Sequence, residues 1–211
     1  MSTVSVPRGQ YLTLHDVSWK RYEQLLRDLD DRHLRLTYDR GTLEIVTLSH
    51  EHENASYLLG RFVDVLTEEM DLPVKAGRST TFRRRDQEKG LEPDNCYWIS
   101  NEARVRGKKR INLKVDPAPD LAMETDITHS SLNRLAIYAA LRIPEVWRFD
   151  RKHLTFLVLQ EASYRETSTS LAFHFLEPHQ LLRFLDLRSR QDENSIIKAF
   201  RVWVRRQIKA R

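Results

Sequence analysis

The chain has 211 residues, 40% of them hydrophobic and 31% charged, with only 6 glycines and 7 prolines; this is a globular composition, long enough for one sizeable core. A single cysteine, Cys96, excludes an intramolecular disulfide framework, no run of about 18 apolar residues is present to span a membrane, and the N-terminus lacks the apolar stretch of a signal peptide, so a cytoplasmic protein is expected. The net charge of +5 permits a polyanionic partner without requiring one.

Residues 1–13 read as a short arm. Asp16 or Ser18 is placed to cap a helix, within about 16–30, whose apolar positions Trp19, Tyr22, Leu25, Leu26 and Leu29 recur at three-and-four spacing. Alternation over 34–38 and 42–47, across Asp39-Arg40-Gly41, predicts a hairpin with Glu44 in mid-strand. A broad apolar stripe that includes Leu58, Leu59, Phe62, Val63 and Leu66 predicts an amphipathic helix over 52–70, ended by Leu72-Pro73. Short strands are expected at 74–76, 79–83, 95–100 and 120–127, with 83–90 and 101–114 as charged loops. A helix over about 130–141 stops before Pro144, and Ser130 and Ser131 are its simplest caps. Strands at 145–149 and 154–160 follow. One or two more fit within 163–176, and 191–209 forms a last amphipathic helix. This order argues for an α/β (α+β) architecture, a mixed central sheet flanked by helices.

Two proline-led segments concentrate the acids: Glu92-Pro93-Asp94, and Pro119-Asp120-Leu121-Ala122-Met123-Glu124-Thr125-Asp126. Alternate side chains of a strand share a face, so Asp120, Ala122, Glu124 and Asp126 line one side. Three carboxylates on one face of a short apolar strand repel one another unless a cation lies among them. A hard divalent ion such as Mg2+ takes oxygen ligands and needs only one or two carboxylates plus waters. The alternative is that these are strand-end and loop carboxylates turned to solvent. No His/Cys spacing suggests zinc, and no Gly-rich phosphate loop or Gly-x-Ser-x-Gly elbow is present. The basic stretches Arg83–Arg85 and Arg104–Arg110 suit either salt-dependent phosphate contacts or solvated loops.

The element order, with carboxylates at its second and third core strands, resembles the PD-(D/E)xK nuclease superfamily of restriction-endonuclease-like fold. The finer resemblance is to its Uma-two branch of endonucleases. Five segments carry it in order: Gly41–Ile45, Ser49–Glu53, Gly90–Asp94, Pro119–Glu124 and Tyr138–Trp147. The resemblance implies an αβββαβ core over about 30–160 within a single domain spanning 1–211. The N-terminal helix of 16–30 and a strand and helix extension over 161–211 complete it. It further implies Mg2+- (or Mn2+-) dependent hydrolysis of DNA phosphodiester bonds. A homodimer follows from the two sites that a double-strand cut needs.

By the same resemblance, Asp94 and Glu124 match the two central metal-binding carboxylates and Glu44 the branch's upstream acidic residue. Asp120, Asp126 and His52 are the candidate supporting groups. The superfamily pattern asks for lysine two residues after the glutamate, where this chain has Asp126. The branch often carries that cation about ten residues on, in the following helix, where this chain has Arg134. A guanidinium can stabilise a charged transition state but stays protonated and cannot act as a general base. The competing reading is a catalytically inactive nucleic-acid-binding or interaction module that retains the nuclease fold.

Overall fold

The computed structural model describes residues 11–29, 34–47, 50–78, 80–125, 130 and 132–210, the side chains of 50–53 excepted. Tyr11–Leu14 is a strand (β1), where the sequence suggested only an arm, because it completes an antiparallel ladder against Thr42–Thr47 (β3). The first helix, Trp19–Asp28 (α1), starts at Ser18, whose hydroxyl accepts from the Arg21 amide at 3.3 Å. Leu34–Asp39 (β2) pairs with β3 through the expected hairpin. Its two turn residues, Arg40 and Gly41, have φ of 41° and 90°, the positive values that a two-residue hairpin loop requires.

His50–Glu69 (α2) forms as its apolar stripe predicts and leads to Lys75–Ala76 (β4). Phe82–Arg84 (β5) and Lys89–Leu91 (β6) then pair around a 3-10 turn at Arg85–Gln87. This corrects the loop expected over 83–90. Gly90 permits the ladder, since a Cβ there would lie 3.0 Å from the Tyr22 ring. The chain continues through Asn95–Trp98 (β7), Glu102–Val105 (α3), Leu121–Thr125 (β8), Arg134–Ala140 (α4), Glu145–Phe149 (β9) and Leu154–Gln160 (β10). Ser163–Thr167 (β11), Pro178–Leu185 (α5) and Glu193–Lys209 (α6) complete it. The region 163–176 thus adds one strand, and α3 and α5 were not foreseen.

Two sheets result, with strand orders β1-β3-β2-β6-β5 and β11-β10-β9-β8-β7-β4. In the second, every pair is antiparallel except β8–β9, which α4 connects as a parallel pair requires. Reading α2, β4, β7, β8, α4, β9 in order recovers the αβββαβ core. The strand expected at 79–83 shifts to 82–84 and joins the other sheet. A large core packs α2, α5 and α6 against one face of the second sheet, with Phe62, Trp147, Phe156 and Phe200 at its centre. Ile137, Tyr138 and Leu141 of α4 pack on the opposite face with Ala122 and Val146. A third cluster, containing Trp19, Tyr22, Leu36, Tyr38 and Leu43, joins α1 to one face of the β2–β3 hairpin.

Candidate active site

The strand pleat determines which side chains the hairpin offers to the rest of the molecule. Leu36, Tyr38 and Leu43 pack under α1, so Arg35, Thr37 and Glu44 take the other face. Thr37 and Glu44 are cross-strand partners, and both are fully buried. In the second sheet the β7–β8 ladder ends with Asn95 opposite Met123, so Asp94 precedes and Glu124 follows its last pair. The Asp94 amide donates to the Met123 carbonyl at 3.1 Å, one residue out of the register of that ladder. The two carboxylates are near enough for their charges to repel.

Each of these acids meets a guanidinium. Asp94 Oδ1 lies 2.8 Å from Nη1 of Arg35, while Oδ2 accepts from the Thr125 amide at 2.6 Å and the Thr125 hydroxyl at 2.5 Å. Glu124 Oε1 accepts from Arg134 Nη2 at 2.5 Å and Nε at 3.2 Å, and from the Tyr138 hydroxyl. Arg134 and Tyr138 reach it together because residues four apart share one helix face. The same guanidinium donates to Thr37 Oγ1 at 2.5 Å and to the Glu92 carbonyl at 2.9 Å. Glu124 and Glu44 are therefore connected through Arg134 and Thr37, and Glu44 Oε1 also accepts from the Ser130 hydroxyl at 2.8 Å.

Burial dominates the electrostatics. It raises the Glu124 pKa against the pull of Arg134, and the Asp94 charge raises it further. Burial alone would lower Arg134, but Glu124 beside it holds the guanidinium above its ordinary value. Burial and the Glu124 charge push Tyr138 far up, so it remains a hydroxyl donor. At Asp94 and Arg35 the cluster meets a cavity of about 270 Å3, also lined by Arg61, Asp64 and Arg78.

Of the residues that the sequence singled out, Glu44, Asp94, Glu124 and Arg134 thus fall in one connected cluster. Asp120 does not join them. Its carboxylate accepts from the amides of Ile99 (2.7 Å) and Asn101 (3.0 Å) and from the Asn101 side chain (2.6 Å), closing the turn after β7. It shares a face with Glu124 but lies about 13 Å along the strand. Asp126 lies outside the described residues, and for His52 only the backbone, in the first turn of α2, is described. Ser130 serves Glu44 instead of capping α4, whose cap is Asn133, accepting from the Ala136 amide at 3.1 Å. Arg35, Thr37, Thr125 and Tyr138 were missed. The alternation of 34–38 already marked Arg35 and Thr37 as a polar face; what it lacked was the partner of that face.

Comparison with known proteins places this geometry in context. A family model described as "Uma2: Putative restriction endonuclease" matches residues 19–189. A crystal structure of a "putative nuclease belonging to DUF820" from Anabaena variabilis ATCC 29413 superposes with a TM-score of 0.46 at 15% identity. That match covers 71% of this chain and 90% of the other. No curated protein matches significantly. With the model matched over most of its length, the chain belongs to the Uma2 family of restriction-endonuclease-like nucleases.

Proposed function

We propose that this protein is a metal-dependent endonuclease that hydrolyses DNA phosphodiester bonds at the cluster around Asp94 and Glu124. The observation that carries the reading is the nearness of Asp94, just before β7, to Glu124 of β8, close enough for one charge to act on the other, with a guanidinium on each and Asp94 on the wall of an open cavity. Among the described residues, no three carboxylate, histidine or cysteine side chains stand close enough to cage an ion by themselves. Mg2+ or Mn2+ does not need such a cage, because one or two carboxylates plus waters suffice. Asp94 lines the cavity, and among the described residues the three hydrogen bonds to Glu124 end on Oε1; Arg35 holds Asp94 Oδ1 and Thr125 holds Oδ2, so an ion there would take the place of the Arg35 contact.

Bound there, the metal would supply an acidified water and screen the phosphate charge. The side chains supply the remainder. Arg35 and Arg134 hold fixed positive charge beside the developing phosphorane oxygens. Arg134 cannot take the proton of the attacking water, and Glu124, raised by burial, is the acceptor. As the water oxygen bonds to phosphorus, the bond to the sugar oxygen breaks, and that oxygen leaves as a hydroxyl by taking a proton from solvent water. A double-strand cut calls for two such centres, and hence a homodimer.

Two contacts favour the alternative of an inactive nucleic-acid-binding or interaction module: Arg134 and Tyr138 close Oε1 of Glu124 to any metal. Incubation of the purified protein with supercoiled plasmid in Mg2+, Mn2+ or EDTA, beside Glu124→Gln, decides between them. Metal-dependent nicking that is lost in a folded Glu124→Gln variant is expected. Intact plasmid in every metal, from a wild type shown to be folded, would overturn the nuclease in favour of the module.

A further inference from the structure

A groove of about 830 Å3 runs between the C-terminal part of α1, the β4–β5 edge and residues 108–113. Among the described residues, Arg27, Lys75, Arg83, Lys108, Lys109 and Arg110 line it, against one carboxylate, Glu92. Two of these cations are already engaged. Lys75 Nζ donates to the carbonyls of Val105 (3.0 Å) and Lys108 (2.9 Å), and Lys108 pairs with Asp116. The other four carry charge that is little compensated. Arg27 donates to the neutral Gln24 side chain at 2.8 Å, and Arg83 reaches Glu23 only at 3.8 Å. Lys109 and Arg110 have no ion-pair partner among the described residues, and all four are exposed. Folding thus places basic stretches that are separate in sequence on two walls of one groove. Their mutual repulsion is relieved by a polyanion lying between them.

The groove adjoins the candidate active site at two points. The Glu92 side chain, which accepts from Thr81 Oγ1 at 2.6 Å, lines the groove, while its carbonyl holds Arg134. Ala76 lines both the groove and the smaller cavity at Asp94, and Arg78 also lines that cavity. Ala76 belongs to β4, a two-residue strand at the edge of its sheet, so a ligand can cross from one to the other over little more than backbone.

We propose that this groove holds the sugar–phosphate backbone of a DNA duplex flanking the bond to be cut, with Arg27 and Arg83 on one wall and Lys109 and Arg110 on the other. The proposal rests on the nuclease reading for its substrate class, but its test does not depend on turnover. Phosphate contacts of this kind position a duplex without reading its sequence.

The test is fluorescence anisotropy of a short labelled duplex in EDTA across a potassium chloride series. It compares wild type, Lys109→Ala/Arg110→Ala, and a control of equal charge change on the solvent face of α6, Lys198→Ala/Arg206→Ala. Each phosphate contact contributes about 0.9 to the slope of log affinity against log salt, so the groove variant should lose about 1.8 from that slope and bind several-fold more weakly. The control should match wild type. Unchanged binding in the groove variant would overturn the proposal, as would poly-glutamate displacing the duplex as readily as unlabelled duplex does. A plasmid left uncut while groove-dependent binding persists would overturn the nuclease alone. Metal-dependent cutting with binding indifferent to Lys109 and Arg110 would overturn the groove alone.

Discussion

Arg134 grips a single oxygen of Glu124: Nη2 lies 2.5 Å and Nε 3.2 Å from Oε1, with both residues buried. Ten positions separate them, from the end of β8 to the first residue of α4. Removing two charges from water costs several kcal/mol for each, about as much as their attraction returns, so such a pair persists when its remaining hydrogen-bonding capacity is met. Here Thr37 and the Glu92 carbonyl meet it on one side and Tyr138 on the other. Oε1 is thereby held by the chain itself.

Removing one partner should therefore be worse than removing both. Arg134→Ala leaves a buried carboxylate without its cation and should cost about 3–5 kcal/mol in urea unfolding. Adding Glu124→Gln should recover part of that loss, because the orphaned charge is gone. Equal losses in the single and double variants would show that the guanidinium acts through packing alone.

Arg134→Lys keeps the charge but offers one ammonium to partners that the planar fork reaches together. The variant should lose about 1–3 kcal/mol in a thermal melt as one buried acceptor goes unpaired. Its plasmid nicking should decline as pH rises through the titration of the amine, whereas wild-type nicking should show no such decline from this residue. A flat profile in the lysine variant would mean that charge at this position is not used in the chemistry.

Asp120 is a structural carboxylate by its contacts, despite sharing a strand face with Glu124. Asp120→Ala removes three hydrogen bonds from the turn after β7 and should lower stability by about 1–3 kcal/mol. Plasmid nicking per folded molecule should be unchanged. A variant as stable as wild type that no longer cuts would restore Asp120 to the site.

Glu69, near the end of α2, accepts from Arg201 and Arg205 of α6, each at 2.7 Å. These bonds hold its pKa below the ordinary carboxylate value. A lowered folded-state pKa means that the stabilisation is fully present above the unfolded value, near about 4.3, and is lost as pH falls through the folded one. These contacts are solvent-exposed and screened, so their contribution is small. Glu69→Gln should accordingly destabilise at neutral pH and converge on wild type in acid, as followed by thermal melts across pH. A variant gap that widens in acid would contradict this sign.

Much of this molecule was legible along the chain. The 20-residue α2 and the strands at 145–149 and 154–160 fall where their periodicity put them, because long or strictly alternating patterns leave little choice of buried face. The short elements were harder. β1 and β6 are four and three residues long, and each exists because a partner strand lies beside it. A window so short has no period to read.

The candidate site divides in the same way. Asp94, Glu124, Glu44 and Arg134 were identifiable from residue type, order and family resemblance, since each lies within a local motif. Arg35 and Thr37 were not, because nothing near them in sequence says that the second face of the hairpin turns toward β8. The same limit left Asp120 open between a supporting group and a cap: alternation places it on the face of Glu124, but strand length separates the two and the turn after β7 claims its oxygens. The sequence by itself determined which segments become helices and strands and which acids lie on them, because those properties follow from local periodicity and backbone chemistry. Only the tertiary structure decided which guanidinium neutralises which carboxylate and which lysines and arginines face one groove. Those pairings join residues far apart in the chain, Asp94 with Arg35 and Glu69 with Arg205 across 136 positions, and are chosen by the packing of the elements and the cost of burying an uncompensated charge.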